Sequence, residues 1–122
     1  MKEPTRQDLF DMAYAGLKKQ GFAQSLDSHG HGQCKYRGRG GLKCAVGHLI
    51  PDERYSSSFE GYGAASGAIV EVIGIDHQND EAAILLVAMQ RAHDNGTTPA
   101  SMQGKLREVA KKYELTIEGV SP

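Results

Sequence analysis

Glycine is concentrated in the middle of this 122-residue chain, and this distribution limits where regular elements can form. Ten of the 15 glycines lie between Gly30 and Gly74. Glycine weakens helices and strands because it loses the most conformational freedom on folding, so the middle third is expected to be rich in loops. The length fits one domain with its own core. We therefore assign residues 1–122 to a single domain, in which residues 116–122 could form a frayed tail.

Amphipathic helices are predicted on both sides of this glycine-rich third. Apolar residues recur at helical spacing over residues 5–20 and 80–93, and Thr98–Pro99 is a typical start for a last helix. The inward face predicted for the second of these helices consists of Ile84, Leu85, Ala88, Met89 and Ala92. Residues 44–50 and 64–73 fit either a helix or a strand, and alanine spacing favours a helix for 64–73.

A small β-hairpin is predicted between these helices. Residues 34–37 and 42–44 would form its two arms, and the glycines of Gly38–Gly41 would accept the positive φ angles of a tight connection. An isolated hairpin is marginally stable, so it would have to pack on the helices. The expected fold is therefore α+β, a mostly helical single domain with a small β-hairpin.

Basic and aromatic residues alternate through the predicted hairpin and the loop that follows it. Exposed backbone amides at a glycine-rich tip can bind an anion, and arginine can hold a phosphate through two parallel hydrogen bonds. The chain lacks a P-loop motif. A charged hairpin tip that only keeps the protein soluble is the alternative. The candidate ligand-binding residues are Lys35, Tyr36, Arg37, Arg39, Lys43, Tyr55 and Glu60.

Histidines and cysteines near the hairpin form the pattern H-x-H-x2-C-x9-C-x3-H. Zinc takes tetrahedral sites from Cys and His, and a hairpin would bring the two thiolates together. The candidate zinc ligands are Cys34, Cys44, His48 and His31, with His29 as an alternative to His31. In the other interpretation the cysteines are buried thiols and no metal binds. No cofactor other than zinc is expected.

Acid–base chemistry has weaker support in the sequence. His93 and Asp94 end the second long helix, and a loop carboxylate from Asp52, Glu53 or Glu60 could join them in a small hydrolase of a phosphorylated substrate. The chain lacks a G-x-S-x-G elbow, an H-E-x-x-H motif and a dinucleotide-binding fingerprint. A non-enzymatic role is therefore favoured.

Charge and hydropathy limit the expected partners. The formal net charge of −1 gives no general attraction for polyanions. The N-terminal residues lack the apolar core of a secretion signal, and no apolar run approaches the roughly 20 residues that span a bilayer. These features predict a cytoplasmic protein without a membrane partner. An apolar patch on the 80–93 helix could support a homo-oligomer.

Residues 34–61 contain a sequence pattern that can be compared with known protein families. The chain reads CKYRG at 34–38 and GLKCAVGHLIPDERY at 41–55, followed by Glu60-Gly61. This string resembles a group of small proteins encoded by bacteriophages and prophages, and the similarity extends to 92–94 and the last helix. It implies a protein made in the cytosol of an infected or lysogenic bacterium, and it implies no activity.

The function expected from these features is a non-enzymatic phage accessory binding protein. Such a protein would serve as an anti-defence or host-takeover factor, and its basic hairpin would bind a host protein or a nucleotide-like small molecule. A zinc-stabilised domain and a small hydrolase are the alternatives.

Overall fold

A computed structural model describes residues 3–26 and 35–122, and these residues form an all-helical fold. Its α-helices are α1 (Arg6–Lys19), α2 (Gly67–Ile73), α3 (Asp80–Asn95) and α4 (Pro99–Lys112). Short 3-10 helices lie between α1 and α2, at Arg39–Gly41, Val46–Leu49, Asp52–Arg54 and Ser57–Gly61. After α4, Ile117 and Val120 form an isolated β-bridge. The preference for a helix within 64–73 is confirmed by α2.

The three long helices begin where their local signals predict. Thr5 accepts a hydrogen bond from the Asp8 backbone N–H, and the Asp8 carboxylate accepts one from the Thr5 N–H, which forms a capping box. These bonds lower the pKa of Asp8. Asn79 caps α3 through its side chain, and Thr98 caps α4. The predicted helices are therefore confirmed.

The core forms where α3 packs against α1 and α4, with the Val46–Leu49 turn covering α1. Its largest fully buried side chains include Phe10, Leu17, Leu85, Leu86, Met89, Met102 and Leu106. The predicted inward face of α3 is wrong at one position, because 53% of Ile84 is exposed. Ile84 lies on a second apolar face of α3, outside this core.

The predicted β-hairpin is wrong, and with it the α+β fold class. No strand of a sheet occurs in residues 3–26 or 35–122. The backbone N–H groups of Tyr36 and Arg37 donate to the Glu60 carboxylate, so they do not donate to a second strand. The Lys43 N–H donates to the Gln20 side chain. Side chains from distant segments thus take the bonds that a ladder would use.

A tight turn does occur where the hairpin connection was expected. The Gly38 N–H donates to the Leu42 carbonyl at 2.9 Å, and the Leu42 N–H donates to the Arg39 carbonyl. Gly40 and Gly41 have φ values of 68° and 77°, which glycine adopts without strain. The glycines therefore make the predicted turn without the predicted strands. Cys34, at the start of the first predicted arm, lies outside the described residues.

None of the helices in the described ranges combines the length and the apolar character needed to cross a bilayer.

Candidate functional site

Four of the seven predicted ligand-binding residues come together at one carboxylate, with Tyr36, Arg37 and Tyr55 placed around Glu60. Glu60 accepts hydrogen bonds from the backbone N–H groups of Tyr36, at 2.9 Å, and Arg37, at 3.1 Å. It also accepts one from the Tyr55 hydroxyl. Burial, followed by this hydrogen bond to Glu60, raises the pKa of Tyr55 to about 12. With Asp52, these residues form what we call the Arg37–Glu60 cluster.

The Arg37 guanidinium is occupied by internal partners. Its Nη1 donates to the Gly47 carbonyl at 2.7 Å, and its Nη2 donates to the Ile50 carbonyl at 2.8 Å and to Asp52 at 2.9 Å. The guanidinium carbon also lies 4.7 Å from the centre of the Tyr55 ring. Only 18% of the Arg37 side chain is exposed. Arg37 therefore ties three loop segments together and offers little of its charge to a ligand.

The other three basic residues of this region differ in what they contact. Lys43 donates to the same Asp52 oxygen as Arg37, at 3.0 Å. The hydrogen bond from Lys43, the Lys43 charge and the Arg37 charge lower the pKa of Asp52, in that order. Lys35 is half-buried and Arg39 is exposed, and neither forms an ion pair within the described residues. The structure thus leaves only Lys35 and Arg39 available for the predicted anion site.

A small polar cavity of about 170 Å³ adjoins the cluster. Ligand sites for small molecules usually measure about 300–1,000 Å³, so this cavity is too small to enclose a nucleotide. Its lining includes the carboxylates of Glu60 and Asp94 together with Gln90. Burial raises the pKa of Tyr36 in the same lining, and the charges of both carboxylates raise it further. Two carboxylates in one lining disfavour the approach of a phosphate.

The two described zinc candidates are engaged within the protein. Cys44 is fully buried, its sulfur accepts the Gly47 N–H at 3.3 Å, and burial raises its pKa to about 12. The His48 Nε2 lies 3.0 Å from the Gln20 Oε1, and burial lowers the pKa of His48 to about 4. The other candidates, Cys34, His31 and His29, fall in 27–34, outside the described residues. Among the described residues, no three His, Cys, Asp or Glu side chains are placed to hold a metal.

The predicted acid–base pair is also tied into the fold. His93 is fully buried, and its Nε2 accepts the Ser25 backbone N–H at 2.9 Å. Its Nδ1 lies 2.9 Å from Asp94 Oδ1, so the ring is the tautomer with the proton on Nδ1. A general base needs a free lone pair within reach of the substrate. His93 uses its lone pair to hold residue 25 against the end of α3.

A concavity larger than this polar cavity lies elsewhere, between the outer faces of α3 and α4. This groove has a volume of about 630 Å³, and Ala65 contributes to its lining from outside the two helices. Apolar residues form its floor, namely Ala83, Ile84, Val87, Ala88, Ala92, Val109 and Tyr113. Charged residues form its rim, namely Arg91, Lys105, Glu108 and Lys112. We call this feature the α3–α4 groove.

None of the predicted site residues that the structure describes lines this groove. A signal was present, because Ile84, Val87 and Ala88 repeat at helical spacing beside the buried stripe of Leu85 and Met89. An apolar stripe wider than one core needs indicates a second contact surface. The predicted apolar patch on residues 80–93 described part of this surface.

Comparison with known proteins returned no matching family model, no matching curated protein and no matching solved structure.

Proposed function

We propose that this chain is a non-enzymatic binding protein whose partner is another protein. The α3–α4 groove carries the proposal, because it is a large apolar concavity that includes the exposed side chain of Ile84. Exposed apolar surface costs free energy in water, and covering it is a main driving force for association. The resemblance of residues 34–61 adds the context of a phage accessory factor, acting against host defence or on a host enzyme in the bacterial cytosol.

The Arg37–Glu60 cluster supports a protein partner over a nucleotide-like ligand. Arg37 and Lys43 share Asp52, and the adjacent cavity is small and lined by carboxylates. The buried positions of His93 and Cys44 also favour binding over hydrolysis by these residues. We therefore place the proposed binding surface at the α3–α4 groove and not at the basic residues 35–43.

Affinity capture from a bacterial lysate, with matched surface variants, tests this function. Ala88→Glu places a charge on the groove floor, and Ala15→Glu makes the same change on the exposed face of α1. We expect proteins retained by the wild type and by Ala15→Glu to be lost from Ala88→Glu, as measured by quantitative mass spectrometry. Far-UV circular dichroism checks that both variants are folded.

Two results would contradict the proposal. In the first, captured proteins are lost from Lys35→Glu and Arg39→Glu and kept by Ala88→Glu. That result would place the binding surface at the turn around Gly38–Leu42. Incubation with a panel of nucleotides provides the second comparison, because an enzyme releases an altered product. Turnover by the purified protein would replace the binding function with a catalytic one.

A further inference from the structure

The apolar floor of the α3–α4 groove has the form that receives a helix. Ile84, Val87 and Ala88 lie three to four residues apart on α3, and Val109 and Tyr113 contribute from α4. Alanines at 83, 88 and 92 keep the α3 side low, which lets a partner's backbone approach closely. From 84 to 95 this face of α3 extends for about 16 Å. That length matches about three turns of a docked helix, which would place apolar side chains at i, i+3, i+4 and i+7 in the groove.

The rim of the groove is positively charged on both sides. Arg91 lies on α3, and Lys105 and Lys112 lie on α4, against one carboxylate from Glu108. The rim therefore has a net charge of +2, from three cations and one anion, whereas the whole chain has a net charge of −1. None of the three cations forms an ion pair within the described parts of the chain. The groove therefore has a local excess of positive charge that the fold itself does not neutralise.

The spacing of these cations indicates where acidic residues would lie on a docked helix. Lys105 and Lys112 are seven residues apart on one helix, which places them about 10.5 Å apart along the α4 axis. Acidic residues at i and i+7 on a docked helix have the same spacing. Arg91 on the opposite wall would meet an acidic residue on the other edge of that helix. An apolar, concave floor suits a helix better than a nucleic acid, whose affinity comes mainly from its phosphates.

We propose that the α3–α4 groove binds an acidic amphipathic helix of a partner protein. This inference rests on the proposed function and specifies the chemistry of the partner. Apolar side chains of the helix would cover Ile84 and Val87, and its carboxylates would face Lys105, Lys112 and Arg91. Complementary rim charges of this kind raise association rates and select the partner.

Fluorescence anisotropy with three labelled helical peptides tests the proposal. The first probe is a peptide of about 14 residues with leucine at i, i+3, i+4 and i+7 and glutamate on its flanks. The second has lysine in place of each glutamate, and the third has serine in place of each leucine. We expect the first peptide to bind at least about tenfold more tightly than either of the others. Equal or tighter binding of the lysine peptide would overturn the assignment of an acidic partner.

Charge reversal on α4 locates the binding site. Lys105→Glu with Lys112→Glu should weaken the acidic peptide by about tenfold or more and strengthen the lysine peptide. The control is Arg107→Glu with Lys111→Glu, which makes the same change at exposed positions of α4 outside the groove. An equal loss in the control pair would overturn the site.

Two further measurements separate the possible outcomes. Light scattering after size-exclusion chromatography reports the mass of the wild type. A dimer that dissociates on Ala88→Glu would show that a second copy covers the groove, and the acidic-helix proposal would fail. Groove-dependent capture of proteins from the lysate without binding of the acidic peptide would refute this inference alone. Loss of both results would also refute the proposed function.

Discussion

Replacing Gly16 with alanine should destabilise the protein, although the same change inside a helix normally stabilises it. A Cβ at this position of α1 would lie 2.3 Å from Nδ1 and 2.4 Å from Cγ of His48. Favourable contacts between non-bonded carbons are about 3.5–4.0 Å, so the ring would have to move by about 1 Å. Its bond to Gln20 Oε1, now 3.0 Å long, would be strained by that movement.

The expected loss follows from two costs and one gain. Overpacking costs about 1–3 kcal/mol, and a weakened hydrogen bond adds about 1 kcal/mol. Alanine returns about 1 kcal/mol of helix propensity. We expect the free energy of unfolding to fall by about 2 kcal/mol. Urea unfolding followed by far-UV circular dichroism at pH 7.5 measures this change as a lower midpoint with an unchanged slope.

Gly104→Ala provides the matched control. Gly104 lies within α4, and a Cβ there would meet no atom within 4 Å. The substitution should stabilise the protein by about 0.5–1 kcal/mol. The same chemical change is thus expected to have opposite signs in two helices.

A double-mutant cycle with His48→Ala identifies the cause. Removing the ring should make Gly16→Ala neutral or stabilising, which corresponds to a coupling energy of about 2 kcal/mol. The reasoning is refuted if Gly16→Ala is as stable as the wild type. It is also refuted if the loss is the same with and without the His48 ring.

Three further predictions concern buried or clustered polar groups. Glu60→Ala leaves two backbone N–H groups and a tyrosine hydroxyl without their acceptor, so the free energy of unfolding in urea should fall by about 3–5 kcal/mol. The control, Glu53→Ala at an exposed position, should lower it by less than about 0.5 kcal/mol. Similar losses in the two variants would contradict this prediction. Because burial lowers the pKa of His48 to about 4, stability should fall as the pH drops from 6.5 to 4, where only the unfolded state binds the proton. The ring is partly exposed, so we expect the free energy of unfolding to fall by about 2 kcal/mol over this pH range. His48→Gln cannot bind the proton and should not show this fall. The same pH profile in the variant and the wild type would refute the prediction. Burial raises the pKa of Cys44 to about 12, so this thiol should react slowly in the folded protein. In a Cys34→Ser variant, a thiol reagent should modify Cys44 about 1,000-fold more slowly in buffer than in urea. A difference below tenfold would contradict the burial of Cys44.

The long helices could be predicted because each carries its own start signal and periodicity. Thr5 and Asp8 form a local capping box, and Thr98 is followed directly by Pro99. These contacts span at most three residues, so the sequence displays them. The exposed Ile84 could not be predicted in the same way, because an apolar residue at the edge of a stripe can face the core or a partner. Its exposure depends on where α4 packs.

The hairpin prediction failed because the deciding contacts are not local. Glu60 is 24 residues from Tyr36 and 23 from Arg37, and Gln20 is 23 from Lys43. The turn glycines do form a turn, but the backbone N–H groups of Tyr36, Arg37 and Lys43 donate to side chains and not to a second strand. A sequence pattern reports that a backbone group needs a partner without saying which group supplies it.

The predicted site shows the same limit at the level of side chains. The sequence brought Arg37, Tyr55 and Glu60 into one hypothesis, and the structure does place them in contact. The contacts themselves are internal, however, because the Arg37 donors meet carbonyls of Gly47 and Ile50. Every residue has a backbone carbonyl, so the sequence does not show which carbonyls accept from Arg37.

The two groups of cations differ in their surroundings, and this difference supports the proposed binding surface. Arg37 and Lys43 are largely covered, and a covered charge is costly unless it is paired, so both converge on Asp52. Arg91 and Lys112 are exposed beside an apolar groove, where solvent stabilises each charge without an ion-pair partner, and the Lys112 ammonium lies 5.5 Å from the centre of the Tyr113 ring. An exposed cation retains its full charge for an incoming carboxylate, and apolar surface beside it supplies the free energy that surface ion pairs alone lack. The position of charge relative to apolar surface therefore places the proposed binding site at the α3–α4 groove, whereas the density of charge along the sequence had suggested residues 35–43.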